Sequence, residues 1–128
     1  MPLIYQKHIR RSILRANPDW LYVFGDNAAR RGYGGQAAEM RGEPNAFGIP
    51  TKWQPMMTPK AFFWDHQREE ILTILEPVYQ HLIQQLEHGK TVVWPEDNIG
   101  TGLSRMNVYA PKLWAEMDNI RIGILEKL

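Results

Sequence analysis

The chain has 128 residues, of which 44% are hydrophobic and 23% charged, and its formal net charge is +1. This length and composition predict one globular domain over residues 1–128 and exclude a disordered chain. The near-zero net charge excludes an overall electrostatic attraction to nucleic acid. The absence of cysteine excludes disulfides, thiol catalysis and cysteine-ligated metals, and it agrees with a cytoplasmic location. No apolar run reaches the roughly 18 residues of a membrane span, so we expect no membrane partner.

The first half of the chain predicts three strands and a short helix. Residues 3–7 alternate weakly and indicate an edge strand. Residues 20–24 are continuously apolar and predict a buried central strand. A short helix follows over residues 36–41 and ends at Gly42, and residues 46–50 predict a brief strand that closes at Pro50. The proline-spaced loop that continues to Lys60 has the composition of a flap or a pocket wall.

The second half predicts a long helix, a strand, a helix and a last strand. Apolar residues at helical spacing run from the predicted N-cap Asp65 to Gly89, and Pro77 is expected to kink or divide this helix. Residues 91–94 predict the next buried strand. Pro111 suits the first turn of a further helix, and residues 120–125 predict the last strand. Strands thus alternate with helices, which predicts an α/β fold.

The first glycine loop, residues 25–36, follows the predicted central strand. Glycines allow a close backbone approach to a ligand, and the first amides of the next helix have no internal partner, so this layout suits phosphate binding. Asp26 and Asn27 suit hydrogen bonds to a base amine or a ribose hydroxyl. The same residues are also typical of an ordinary turn, and the spacing is neither a GxGxxG nor a Walker motif. The other candidate ligand-binding residues of this loop are Gly25, Gly32, Gly34, Gly35 and Gln36.

A second polar segment adjoins the predicted strand over residues 46–50. Asn45 is a candidate for facing a ribose, and Lys52 is a candidate for binding a phosphate. Thr51, between the strand and Lys52, is a further candidate ligand-binding residue. The ordinary alternative is a turn asparagine and a solvated lysine, which this segment by itself favours.

The second glycine loop, residues 96–103, follows the strand predicted over residues 91–94. Its glycines and the hydroxyl group of Thr101 suit contact with a diphosphate that the loop surrounds. Asp97 is the candidate general base, provided that its surroundings raise its pKa. The alternative is a charged turn formed by Glu96 and Asp97. The candidate ligand-binding residues here are Gly100, Thr101, Gly102 and Leu103.

Other residue types indicate no further chemistry. The four histidines are scattered along the chain, so we expect no metal site and no cofactor. Ser12 and Ser104 have no neighbouring histidine in sequence, which makes a serine nucleophile a poor hypothesis. Trp53 and Trp64, in or beside the proline loop, are the tryptophans that best suit contact with a ligand ring.

Four segments together resemble a small bacterial and phage family that is similar to macrodomains, the α/β modules that bind ADP-ribose. They are residues 24–27, 31–37, 44–52 and 94–103. The resemblance implies a three-layer fold with a mixed sheet flanked by helices. It implies Asp26 and Asn27 near the nucleoside, residues 32–35 near the distal ribose and residues 100–103 around the phosphates. Macrodomains carry an N-A-A-N stretch where this chain has Gly25, Asp26 and Asn27, and they are mostly longer.

Three functions are consistent with these observations. The first is an enzyme that removes ADP-ribose from a macromolecule or phosphate from an ADP-ribose derivative, with Asp97 as acid–base and Asn27 and Asn45 orienting ribose or water. The second is a binder that sequesters an ADP-ribose-type signalling nucleotide without turnover. The third is a nucleic-acid-binding module, and its candidate residues are Arg10, Arg11, Arg15, Arg30 and Arg31.

Overall fold

A computed structural model describes residues 3–128 and contains a four-stranded sheet in the order β1-β4-β2-β3. All three pairs of neighbouring strands are parallel. The central positions belong to β4 and β2, the two strands that precede the glycine loops. The strands are β1 (Leu3–Gln6), β2 (Leu21–Asp26), β3 (Ala46–Pro50) and β4 (Val92–Pro95).

Helices cover both faces of this sheet. Alternation along the strands divides the buried side chains, because successive residues of a strand point to opposite faces. Tyr22, Phe24 and Val93 pack with the helices over residues 11–16 and 37–40, whereas Val23 and Val92 pack with the helices over residues 68–87 and 111–123. The resulting three layers are helices, sheet and helices. The helices are α1 (Arg11–Ala16), α2 (Ala37–Met40), α3 (Arg68–Glu87), α4 (Met106–Tyr109) and α5 (Pro111–Gly123), with short 3₁₀ turns at Pro59–Ala61, Asp65–Gln67 and Leu125–Lys127.

The α/β prediction is confirmed, but the four strands form a parallel sheet rather than the expected mixed one. Each strand is followed by a helical crossover before the next strand, and such connections return the chain in the same direction. Outside the named strands, Lys52 and Phe62 form an isolated β-bridge, which is antiparallel.

The long helix α3 differs from its prediction at its start and its middle. It runs without interruption through the exposed Pro77, so the proline does not divide it. Asp65 does not cap α3: its carboxylate accepts the backbone amides of Lys112 and Leu113, at 3.3 and 2.9 Å, and so caps α5. Gly89, with a φ of +83°, follows the end of the helix as predicted.

The strand expected over residues 120–125 is helical. Helix α5 continues to Gly123, and a 3₁₀ turn follows at Leu125–Lys127. The buried residues of α5, Leu113 and Met117, are four positions apart. Ile120 is partly buried and packs against the same core, so the helical period extends into this segment. Among residues 3–128, none of the helices combines the length and hydrophobicity that crossing a bilayer requires.

Candidate functional site

Both glycine loops line one cleft, of about 410 Å³, at the carboxyl ends of the strands. This is where open α/β sheets usually bind ligands. Gly25 is exposed on its floor, and a Cβ atom there would lie 3.8 Å from the backbone nitrogen of Gly100. Near the mouth, a Cβ atom on Gly34 would lie 3.1 Å from Cδ1 of Leu103. The two loops therefore meet across the cleft although about 70 residues separate them in sequence.

The two loops offer backbone amides that the protein itself does not use. Within residues 3–128, the N–H groups of residues 32–36 and 100–103 donate no hydrogen bond to another part of the chain. Unpaired backbone amides are uncommon, and adjacent ones can form a concave site for an anion. The cleft is therefore suited to the oxygen atoms of a phosphate or a sugar.

The carboxylate of Asp26 contacts donors of the protein itself, whereas the sequence analysis expected it to bind a base amine or a ribose hydroxyl. Its buried carboxylate accepts hydrogen bonds from the backbone amide of Asn27 at 2.8 Å, from Arg30 at 3.3 Å and from Arg41. Arg41 also donates from Nε to the carbonyl of Gly32 at 2.6 Å. Asp26 lines the cleft, but its oxygens already hold protein donors. Its observed contacts fix the first glycine loop through Arg41, a residue that the sequence analysis did not select.

One polar side-chain atom of Asn27 has no hydrogen-bond partner within the described residues. Its side-chain amide donates from Nδ2 to the carbonyl of Arg31 at 2.8 Å. Its Oδ1 atom is buried and accepts no hydrogen bond from residues 3–128. Only 6% of Asn27 is exposed, and the residue lines the cleft. A buried acceptor without a partner costs about 1–3 kcal/mol, which a donor from a ligand or water would offset.

Asn45 lies away from the cleft, and its predicted role requires correction. It is at the amino end of β3, whereas the cleft is at the carboxyl ends of the strands. Its Nδ2 lies 3.0–3.1 Å from three carbonyl oxygens, those of Leu14, Asn17 and Trp20. Asn45 therefore ties β3 to the segment between α1 and β2 and is not placed to orient a ribose or a water molecule at the cleft.

Two other candidates line the cleft but use their side chains within the protein. The hydroxyl of Thr51 donates to the carbonyl of Asp26 at 3.0 Å. Gln36 donates from Nε2 to the carbonyl of Ile9 at 2.9 Å. Both contacts connect segments around the cleft, so these residues shape it.

Acidic side chains lie along the second glycine loop. Glu96 and Asp97 are exposed and line the cleft, and Glu96 pairs with Lys7 at 3.7 Å. The carbonyl of Asp97 accepts the hydroxyl of Thr101 at 3.0 Å, but its carboxylate accepts no hydrogen bond from the part of the chain that the structure describes. Asp97 is therefore a free carboxylate at the cleft.

Comparison with known proteins places the chain in a family. The model of a family of unknown function, DUF7831, matches residues 4–120. The chain belongs to DUF7831. No curated protein and no solved structure matches it.

The tryptophans expected near a ligand lie elsewhere in this DUF7831 chain. Trp53 packs edge-on against Phe63 and donates from Nε1 to Gln67 at 3.0 Å. Trp64 donates from Nε1 to the carbonyl of Pro59 at 2.9 Å. Neither lines the cleft. The exposed apolar side chains at the cleft are instead Tyr33, Met57 and Leu103.

The arginines proposed for nucleic acid are mostly engaged by carboxylates. Glu43 accepts from Arg11 at 2.5 Å and from Arg15 at 3.0 Å, and Arg30 pairs with Asp26. Hydrogen bonds from Arg15 and Arg11 lower the pKa of Glu43, so it stays ionised to a lower pH than an unpaired glutamate. In residues 3–128, no three His, Asp or Glu side chains are grouped closely enough to hold a metal ion.

Proposed function

We propose that the cleft binds ADP-ribose or a related adenine nucleotide derivative. The observation that carries this proposal is that two glycine loops, each following a central parallel strand, line a single cleft and contain backbone amides that donate no hydrogen bond within residues 3–128. Such amides are suited to phosphate oxygens. The resemblance of the same segments to macrodomains supports ADP-ribose in particular.

The size and the side chains of the cleft support a ligand of this kind. Its volume of about 410 Å³ lies within the range of small-molecule sites, about 300–1,000 Å³. Tyr33, of which 68% is exposed, offers an aromatic face at the cleft on which an adenine ring can stack.

A hydrolytic activity is the second candidate, and the free carboxylate of Asp97 favours it. A carboxylate at a cleft can take a proton from an attacking water molecule while backbone amides stabilise the developing negative charge. In this scheme the water forms the new bond to the ribose or phosphorus atom, and the displaced alcohol, amine or phosphate leaves. A protein that binds the nucleotide but does not carry out this step would be the sequestering protein.

Calorimetry tests the proposal with ADP-ribose, ADP, AMP and ribose 5-phosphate, followed by product analysis on ADP-ribosylated protein, ADP-ribosylated nucleic acid and ADP-ribose phosphate. We expect ADP-ribose to bind most tightly, since in this proposal it is the probe that contacts both loops. Product formation supports the enzyme, and binding without product supports the sequestering protein. The absence of binding to every adenine nucleotide would refute both.

A further inference from the structure

Two cations of the cleft have no carboxylate partner. Lys52 and Arg31 both line the cleft. Within the described residues, neither forms an ion pair with Asp or Glu, in contrast to Arg30 and Arg41, which share the carboxylate of Asp26. Both free cations contact the segment that follows β3: Arg31 donates to Oε1 of Gln54 at 3.0 Å, and Lys52 donates to the carbonyl of Met56 at 3.1 Å.

Lys52 is the more unusual of the two because it is buried. Only 8% of the residue is exposed. Besides Met56, its ammonium group is 3.7 Å from Sδ of Met57 and 5.6 Å from the centre of the Phe62 ring. These groups attract a cation weakly, and burial lowers the pKa of the lysine. A buried charge without a counter-charge destabilises a folded protein, so its position at a cleft requires an explanation.

The charges of the cleft are also divided between its sides. Lys52 follows β3 and Arg31 follows β2, whereas Glu96 and Asp97 follow β4, on the other side of β2 in the sheet. A phosphate is attracted to the side that has the two free cations and repelled by the free carboxylate of Asp97, whereas the charge of Glu96 is paired with Lys7. The acidic side suits the hydroxyl or amine donors of a sugar or a base.

We propose that Lys52 and Arg31 form an anion subsite, in which a phosphate group of the ligand supplies the counter-charge that neither cation has within the protein. The subsite lies in the cleft of the proposed function and gives its ligand a direction, with a phosphate toward the segment after β3 and hydroxyl groups toward Asp97. The sequence already indicated Lys52 as a candidate for binding a phosphate, and the resemblance implied residues 100–103 around the phosphates. The proposal adds Arg31 and the direction of the ligand in the cleft.

The test compares Lys52→Met with Lys60→Met, which is the same change at an exposed lysine of the same connection that does not line the cleft. The probes are inorganic pyrophosphate, ADP-ribose and adenosine, which has no phosphate. Thermal unfolding measures stability and calorimetry measures affinity. We expect Lys52→Met to weaken pyrophosphate and ADP-ribose by at least about tenfold, since it removes a charge-assisted contact. Adenosine binding, and all binding to Lys60→Met, should equal the wild type.

Stability provides a second readout, which separates a ligand-binding lysine from a structural one. Without a ligand, Lys52→Met should unfold at the wild-type temperature or above it, because methionine removes an uncompensated buried charge. Pyrophosphate should then raise the unfolding temperature of the wild type and of Lys60→Met more than that of Lys52→Met. The exposed Arg31→Gln variant tests the same subsite with little risk to folding and should also weaken pyrophosphate.

The outcomes separate this subsite from the proposed function. Equal affinity of wild type and Lys52→Met for pyrophosphate and ADP-ribose would overturn the subsite and leave the nucleotide proposal standing. Pyrophosphate binding that depends on Lys52, without any ADP-ribose binding, would support the subsite and refute the nucleotide proposal. Wild-type protein that binds neither probe would overturn both. A loss of stability in Lys52→Met without ligand, together with unchanged pyrophosphate binding by Arg31→Gln, would also overturn the subsite.

Discussion

Gly100 packs against the indole ring of Trp114. A Cβ atom at Gly100 would lie 2.7 Å from Cδ1 and 2.8 Å from Nε1 of that ring. Trp114 also donates from Nε1 to the carbonyl of Ile99 at 2.9 Å, and the φ of Gly100 is +79°. Helix α5 therefore fixes Ile99 and Gly100 of the second glycine loop through Trp114. At Gly102, two residues later, a Cβ atom would have no neighbour within 4 Å.

The first prediction compares these two glycines. Gly100→Ala should destabilise the protein by about 2–4 kcal/mol, because it adds a clash with a ring to a left-handed backbone conformation. Gly102→Ala should change stability by less than about 0.5 kcal/mol. Urea unfolding of both variants measures the difference. Equal stabilities would mean that Trp114 does not constrain the loop.

The second prediction concerns the floor of the cleft. A Cβ atom at Gly25 would make ordinary contacts, at 3.5 Å with Oγ1 of Thr51 and at 3.6 Å with Ile99, so Gly25→Ala should fold normally. Its methyl group would occupy space at the exposed floor and should weaken ADP-ribose binding by about tenfold. Calorimetry measures the affinity, and Gly123→Ala, on α5 with open space around it, is the matched control. Unchanged affinity of the Gly25 variant would place the ligand away from the floor.

The four strands and the position of the glycine loops after them could be predicted from local sequence, whereas the parallel pairing of the sheet and the helical conformation of residues 120–123 could not. The apolar residues of β2 and β4 indicated buried strands, and the glycines after them indicated loops at the carboxyl ends. Local pattern was sufficient because each strand and its loop are contiguous. The convergence of both loops on one cleft follows from the adjacent positions of β4 and β2 in the sheet.

The roles of single polar residues could not be predicted in the same way. Asp65 caps a helix that begins 46 residues later, at Pro111, and Asn45 binds carbonyls 25 to 31 residues earlier. Asp26 is neutralised by Arg41, across the first glycine loop. Each of these contacts depends on tertiary structure, and neither residue type nor spacing specifies it. A buried acid at a strand end can therefore be a structural anchor, and its residue type alone does not decide between anchor and ligand contact.

The third prediction concerns recognition of the base. Tyr33 is the most exposed of the large apolar side chains at the cleft, at 68%. If adenine stacks on it, Tyr33→Ala should weaken ADP-ribose and AMP by about 1–3 kcal/mol, the usual contribution of an aromatic platform. Ribose 5-phosphate, which has no base, should bind the variant and the wild type equally. Calorimetry with the three ligands makes the comparison, and an equal loss for ribose 5-phosphate would contradict stacking.

The fourth prediction separates catalysis from binding at Asp97. Its carboxylate is exposed, lines the cleft and accepts no hydrogen bond from residues 3–128, so Asp97→Asn should leave the fold unchanged. The affinity for ADP-ribose should stay nearly unchanged, because the side-chain oxygen of asparagine still accepts a hydrogen bond from a ligand hydroxyl. If the protein hydrolyses an ADP-ribose derivative with Asp97 as general base, turnover should fall by about 100-fold or more. Asp19→Asn, at an exposed aspartate that does not line the cleft, is the matched control. Turnover that survives in Asp97→Asn within a few-fold would exclude this carboxylate as the base, because an amide cannot accept the proton that the reaction requires.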